Sequence, residues 1–101
     1  MYLINYSNLV DSKSQIPINH LMSKIALIFG ISGQDGAYLA KFLLSKDYKV
    51  HGTSRDAEIN SFSSLEQIKI KDKIIFHSVA LNDFRSTLKV IEEVAPDEIY
   101  N

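Results

Sequence analysis

The sequence contains no cysteine. Disulfides, thiolate catalysis and cysteine-based zinc sites are therefore excluded, and redox chemistry does not set the compartment. Long apolar runs are also missing, since none approaches the roughly 18–20 residues of a membrane-spanning helix. Nor is there an excess of one charge. Eleven basic residues stand against twelve acidic ones, a formal net charge of -1, which leaves no electrostatic footprint for nucleic acid or an anionic membrane. Residues 1–21 carry a single basic side chain, Lys13. They lack the basic start and apolar core of a secretory signal and the arginines of a transit peptide. Nothing asks for export, so the cytoplasm is the expected compartment.

What is present suits one small globular domain: 101 residues, 46% of them hydrophobic. Residues 1–22 are rich in Asn and Ser, contain Pro17 and show no sustained periodicity. They read as a mobile extension, or as a start placed too early, with Met22 just ahead of the first strand as the true one. From there the pattern changes. Lys24-Ile-Ala-Leu-Ile-Phe29 is a continuous apolar run bounded by Gly30, the mark of a strand buried on both faces. Tyr38, Leu39, Phe42 and Leu43 predict one apolar face of a helix running to about Lys46. Tyr48 to Gly52 predicts a second strand. In the stretch 56–72, Ile59, Phe62, Leu65 and Ile68 recur every three residues, which fits helical turns packed on a sheet. Lys73 to His77 predicts a third strand. Asp83 is a good N-cap for a helix with Leu88, Ile91 and Val94 on one face, and Pro96 ends it. Glu98 to Tyr100 opens a fourth strand.

Strands alternating with helices imply parallel pairing through right-handed crossovers. The expected fold class is α/β, the N-terminal half of a Rossmann-type doubly wound parallel sheet.

The strongest motif is Gly30-Ile31-Ser32-Gly33-Gln34-Asp35-Gly36, which follows a predicted strand and opens a predicted helix. In that context Gly30 permits the tight turn out of the strand. Gly33 lets backbone N–H groups approach a pyrophosphate. Gly36 lets the helix pack on the sheet, and the helix N-terminus offers unpaired N–H groups to the phosphates. The spacing G-x-x-G-x-x-G belongs to the short-chain dehydrogenase pattern. Residues 23–101 thus read as a partial NAD(P)-binding domain. At the end of the second strand no acid is present to accept from ribose hydroxyls. Instead Val50-His-Gly-Thr-Ser-Arg55 ends in a guanidinium able to pair with a 2′-phosphate, which favours NADP. Thr53 and Ser54 are further hydroxyl donors, and Asp56 is a competitor for Arg55. In the loop after the third strand, Ala80 and Leu81 are the candidates against adenine. Leu81 offers its backbone N–H there, with core packing as the other reading of its side chain.

His20, His51 and His77 show no metal-ligand spacing, and no metal site is expected. Glu92 and Glu93 read as a solvated helix face, and no catalytic residue is assigned.

The string Gly30-Ile-Ser-Gly-Gln-Asp-Gly-Ala-Tyr-Leu-Ala-Lys-Phe-Leu-Leu44 is similar to the opening of GDP-mannose 4,6-dehydratases. Tyr48-Lys-Val-His-Gly52 with Arg55, Asp83-Phe-Arg-Ser, and Pro96-Asp-Glu-Ile-Tyr-Asn101 extend the resemblance from about Ser23 to Asn101. Three positions depart from the family pattern. Asp47 stands where a helix-ending glycine is common, Asp56 where a second Arg is common, and Ala80-Leu81 where an Asp-Leu pair is common. The resemblance implies GDP-mannose as substrate, NADP as cofactor, a homo-oligomeric complete enzyme and a dehydration with no net redox. Hydride leaves C4 of the mannosyl ring, water is lost across C5 and C6, and hydride returns to C6, giving GDP-4-keto-6-deoxymannose. It also implies a Ser or Thr, a Glu and a Tyr-x-x-x-Lys pair for that work. None of these falls in a plausible place here, since Tyr38 has Phe42 four residues on. The chain is therefore expected to be the N-terminal part of such an enzyme and inactive by itself. A GDP-sugar epimerase-reductase, a non-catalytic nucleotide-binding module and a non-functional fragment are the other readings. Half a sheet with an open edge at its fourth strand also predicts weakly cooperative unfolding.

Overall fold

The computed structural model describes residues 3–5, 23–57 and 60–101. Four parallel strands form its centre: β2 (Ile25–Ile28), β3 (Lys49–Ser54), β4 (Ile74–Ser78) and β5 (Glu98–Tyr100). A fifth, β1 (Leu3–Asn5), pairs antiparallel with β5 at the edge, giving the order β1-β5-β2-β3-β4. Three helices connect the parallel strands: α1 (Gln34–Ser45), α2 (Ser63–Gln67) and α3 (Phe84–Val94). The expected βαβ order and parallel pairing are therefore present, with Leu27 opposite both His51 and Ile99. Strand order reverses between β2 and β5, which is where open α/β sheets form their ligand crevice.

Of the extension read at residues 1–22, all but Leu3–Asn5 lies outside the described residues, as does Ile59. The edge of β5, expected to be open, carries β1 over three residue pairs. Nothing in the apolar pattern of so short a segment announces a strand.

The core lies on both faces of the sheet. One face packs Ala26, Ile28 and Val50 under α1 and α2; the other packs Leu27, Phe29 and Ile99 under α3. Here the structure keeps Leu39, Leu43, Ile91 and Val94 of the two expected faces and corrects Tyr38, Phe42 and Leu88. In α1 the buried side is Gly36, Ala37, Ala40 and Leu43, while Tyr38 and Phe42 are each 57% exposed. Small side chains let this helix sit close to the sheet, and the exposed Phe42 ring has the Lys46 ammonium over it, 5.6 Å from its centre. In α3, Val90 and Val94 are buried with Ile91 packed beside them, and Leu88 is exposed. The helical turns read around Phe62 hold better: Phe62 and Leu65 are fully buried, and Phe62 stacks on Phe76 with ring centres 4.1 Å apart.

Helix ends follow local chemistry. Asp83 caps α3 by accepting from the Arg85 N–H at 3.0 Å. α1 ends in a Schellman turn, with the Tyr48 N–H on the Leu43 carbonyl and the Asp47 N–H on that of Leu44. Asp47 carries φ 65, a left-handed conformation for which glycine is better suited.

Candidate functional site

The glycine motif forms the link from β2 to α1. Gly30 has φ +71, a left-handed conformation that glycine adopts with less strain than a residue carrying a Cβ. Gly36 lies against the turn itself. A Cβ there would stand 3.0 Å from the Ile31 Cα and from the Ile31 carbonyl oxygen, so the helix could not approach as it does. Gly33 differs from both. Its φ of -78 suits any residue, and a Cβ on it would meet no atom of the chain within 4 Å. What its bareness protects is the space outside the turn. Gly33 is also the N-cap of α1, and no side chain caps the helix. The N–H groups of Gln34, Asp35 and Gly36 therefore lie in a first turn that no helical carbonyl can reach. A cradle of bare glycine and N–H groups without an intrahelical acceptor, at the positive end of a helix, fits a diphosphate.

The remaining motif residues divide by role. Ser32, Gln34 and Asp35 are exposed. Gln34 also borders a shallow cleft between α1 and α2 with Tyr38, Ser64 and Gln67. Ile31 is fully buried and its N–H donates to the Thr53 carbonyl at 3.0 Å, so neither its side chain nor its amide faces a ligand. Its side chain lies over Gly52, where an added Cβ would come within 2.4 Å of the Ile31 Cδ1. Ile31 thus shapes the turn from beneath. The bareness of Gly52 at this contact is a feature that the glycine spacing does not announce.

Three segments far apart in sequence meet in one groove of about 100 Å³, lined by Gly30, Thr53, Ser54, Arg55, Val79 and Leu81. It opens beyond the C-terminal ends of β2, β3 and β4. Arg55 is exposed, one residue past β3. Among the described residues the ion pairs are Lys24 with Glu98 and Lys89 with Glu93, so Asp56 does not hold the guanidinium. The backbone that carries Arg55 is anchored, with the Ala57 N–H on the Ser78 hydroxyl at 3.0 Å and the Asn60 N–H on the Asp56 carbonyl at 2.8 Å. Thr53 and Ser54, read as hydroxyl donors to a ligand, are both buried. The Thr53 Oγ1 accepts from the Gly30 N–H, and the Ser54 Oγ accepts from the Asn60 side chain. Leu81 is 56% exposed, so core packing is not its role. Ala80 lies beside the groove without lining it, and its carbonyl accepts from the Asp83 N–H in the following turn. Val79, buried and hydrogen-bonded through its N–H to Ser54, is a lining residue that sequence reading missed.

Two titratable clusters lie outside this groove. The His51 Nδ1 and His77 Nε2 are 2.9 Å apart, with the rings stacked between β3 and β4. Burial lowers the proton affinity of both, and for His51 the neighbouring His77 and Lys49 add to the effect. No group of three metal-ligating side chains exists among the described residues. At the other end of β2, the buried Glu98 accepts from the Tyr48 and Tyr100 hydroxyls, both at 2.9 Å. Burial and that carboxylate push Tyr48 up to about 12 and raise Tyr100 as well. Both clusters are satisfied internally, and neither faces the groove. No helix among the described residues is long and apolar enough to cross a membrane.

Comparison with known proteins adds three findings. The family model for GDP-mannose 4,6 dehydratase matches residues 27–101. The GDP-mannose 4,6-dehydratase of Yersinia enterocolitica is 41% identical over 83 residues, covering 77% of this chain and 22% of its own length. That of Drosophila melanogaster is 44% identical over 84 residues, covering 77% and 21%. The chain thus spans about a fifth of the length of the curated relatives it matches. Among solved structures, the Bordetella bronchiseptica enzyme WbmH in complex with NAD+ matches 74% of this chain and 24% of its own, with a TM-score of 0.56 and 27% identity.

Proposed function

The chain belongs to the GDP-mannose 4,6-dehydratase family, and from that premise we propose that it holds the dinucleotide of such an enzyme, with NADP preferred to NAD. The observation that carries this reading is the convergence of Gly30, Arg55 and Leu81 on one groove beside the N-terminus of α1. When bound, the nicotinamide supplies the acceptor, and later the donor, of a hydride. The chain's own residues bind and orient. The first-turn amides of α1 hold the diphosphate, with Ser32 and Gly33 leaving its approach clear. Leu81 and Val79 flank adenine, the Leu81 N–H bonding the ring, with Ala80 shaping that loop. The Arg55 guanidinium takes the 2′-phosphate, a charge-assisted pairing that NAD does not offer. The complex of the Bordetella enzyme with NAD+ supports a nicotinamide dinucleotide in general; the preference for NADP rests on Arg55 and on the absence of an acid at the tip of β3.

The resemblance extends the reading to conversion of GDP-mannose into GDP-4-keto-6-deoxymannose by the complete enzyme, a lyase reaction, and to a homo-oligomer, for which the cytoplasm is the proposed compartment. This chain's share is cofactor holding, because the Ser or Thr, Glu and Tyr-x-x-x-Lys of the family have no counterpart in it. Calorimetric titration of the 101-residue chain with NADP and with NAD tests the reading. NADP is expected to bind more tightly, and Arg55→Gln to weaken NADP by about tenfold while leaving NAD unchanged. Equal or tighter binding of NAD would count against Arg55 as the phosphate partner.

A further inference from the structure

The turn that carries the glycine motif is held from two sides by adjacent residues of β3. On one face of the sheet, Ile31 lies over Gly52. Strand alternation puts Thr53 on the other face, and Thr53 is 1% exposed. A hydroxyl so buried must have a partner, and the partner here is the turn: the Gly30 N–H donates to the Thr53 Oγ1 at 3.3 Å. The next amide in the chain, that of Ile31, donates to the carbonyl of the same threonine at 3.0 Å. One residue therefore receives two successive turn amides, and it stands two positions before Arg55. Gly30 is the residue at φ +71, where a glycine backbone has the most freedom to lose. With its first two amides tied inward, the turn directs its later ones outward at the head of α1.

We propose that Thr53 is a positioning residue for dinucleotide binding, its hydroxyl keeping the glycine turn in register with the strand tip that bears Arg55. This inference rests on the dinucleotide reading above. It differs from the role of Arg55 in a way that can be measured. Thr53 lines the groove but is buried, with its hydroxyl tied to Gly30, so it acts through the turn and its loss weakens NADP and NAD alike. Arg55 separates the two.

The test uses the 101-residue chain and three measurements: affinity for NADP, affinity for NAD, and exchange of the Gly30 amide hydrogen without ligand. Thr53→Val keeps the shape and removes the hydroxyl. It is expected to weaken both dinucleotides by about fivefold, the worth of one ordinary hydrogen bond, and to speed exchange at Gly30. Thr53→Ser, which keeps the hydroxyl, is expected to restore both readings. Should Thr53→Val fail to fold, Thr53→Ala is the hydroxyl-free variant and carries the same expectation. Unchanged affinities in the hydroxyl-free variant, with normal binding by the unaltered chain, overturn the proposal alone. So does a Thr53→Ser variant as weak as Thr53→Val. Failure of the unaltered chain to bind either dinucleotide overturns it together with the functional reading.

Discussion

Gly33 and Gly36 stand three residues apart in one motif, yet they serve different ends, and the difference is measurable. An alanine at Gly36 would press on backbone atoms of Ile31 at 3.0 Å, which cannot swing aside as a side chain does. Gly36→Ala is expected to lower stability by about 1–3 kcal/mol. An alanine at Gly33 would meet nothing within 4 Å. Gly33→Ala should cost less than about 1 kcal/mol, the scale of a weaker N-cap, while weakening dinucleotide binding by about tenfold. Chemical denaturation and titration of the two variants check the pair. If both lose only stability, the cradle assignment for Gly33 fails. At this scale the motif was legible because glycine is the residue whose absence of a side chain carries meaning. The different reasons for each glycine were not legible, since they depend on what lies opposite. The same holds for Gly52, whose bareness matters only because Ile31 lies above it, and for Thr53, whose hydroxyl accepts from the Gly30 amide.

Elements were legible where their pattern is long. β2 reads as a buried strand because every position of Ala26 to Phe29 is interior, and the Asp83 cap and the end of α3 before Pro96 fell where sequence put them. Of the expected face of α1, Leu43 is buried and Leu39 packs against the core, whereas the larger Tyr38 and Phe42 are exposed, because apolar size is not the same as burial. The helix rests on Gly36, Ala37 and Ala40, so close to the sheet that Tyr38 and Phe42 have to point outward. The His51–His77 pair was invisible for another reason: residues 26 apart become neighbours only through the register that sets Thr53 against His77. This contact gives the pairing of β3 with β4 a pH dependence. Burial holds both imidazoles below the ordinary histidine value; His77 and Lys49 act in the same sense on His51, while Glu93 of α3 opposes it at His77. The unfolded chain, with histidines titrating near about 6.5, then binds more protons than the folded one as pH falls. Stability is fully present above that pH and is lost as pH drops through the folded-state values. The melting temperature is expected to fall between about pH 7.5 and pH 5, and the fall to shrink in the double variant His51→Gln, His77→Gln. An identical fall in that variant would assign the effect to other groups.

For the molecule as a whole, the groove is where its parts meet, since the turn after β2, the tip of β3 and the loop after β4 share it. The rest is more loosely tied. Among the described elements only α3 covers its face of the sheet, leaving Ile75 of β4 53% exposed, and Phe84 at the head of α3 is itself 76% exposed. A ligand bridging three segments of such a domain should be felt throughout. Dinucleotide at a hundred times its dissociation constant adds about 2.7 kcal/mol. For a domain of this size that is expected to raise the melting temperature by about 10 °C or more, at about 4–8 °C per kcal/mol. Scanning calorimetry with and without NADP reads this directly, and an unmoved transition would refute it. The fit of Ile31 over Gly52 reaches beyond the test tube. Two sites 21 positions apart share one volume, so mutation cannot sample them independently: a bulkier residue at 52 survives only alongside a trimmed one at 31, and the two should drift through generations as a couple.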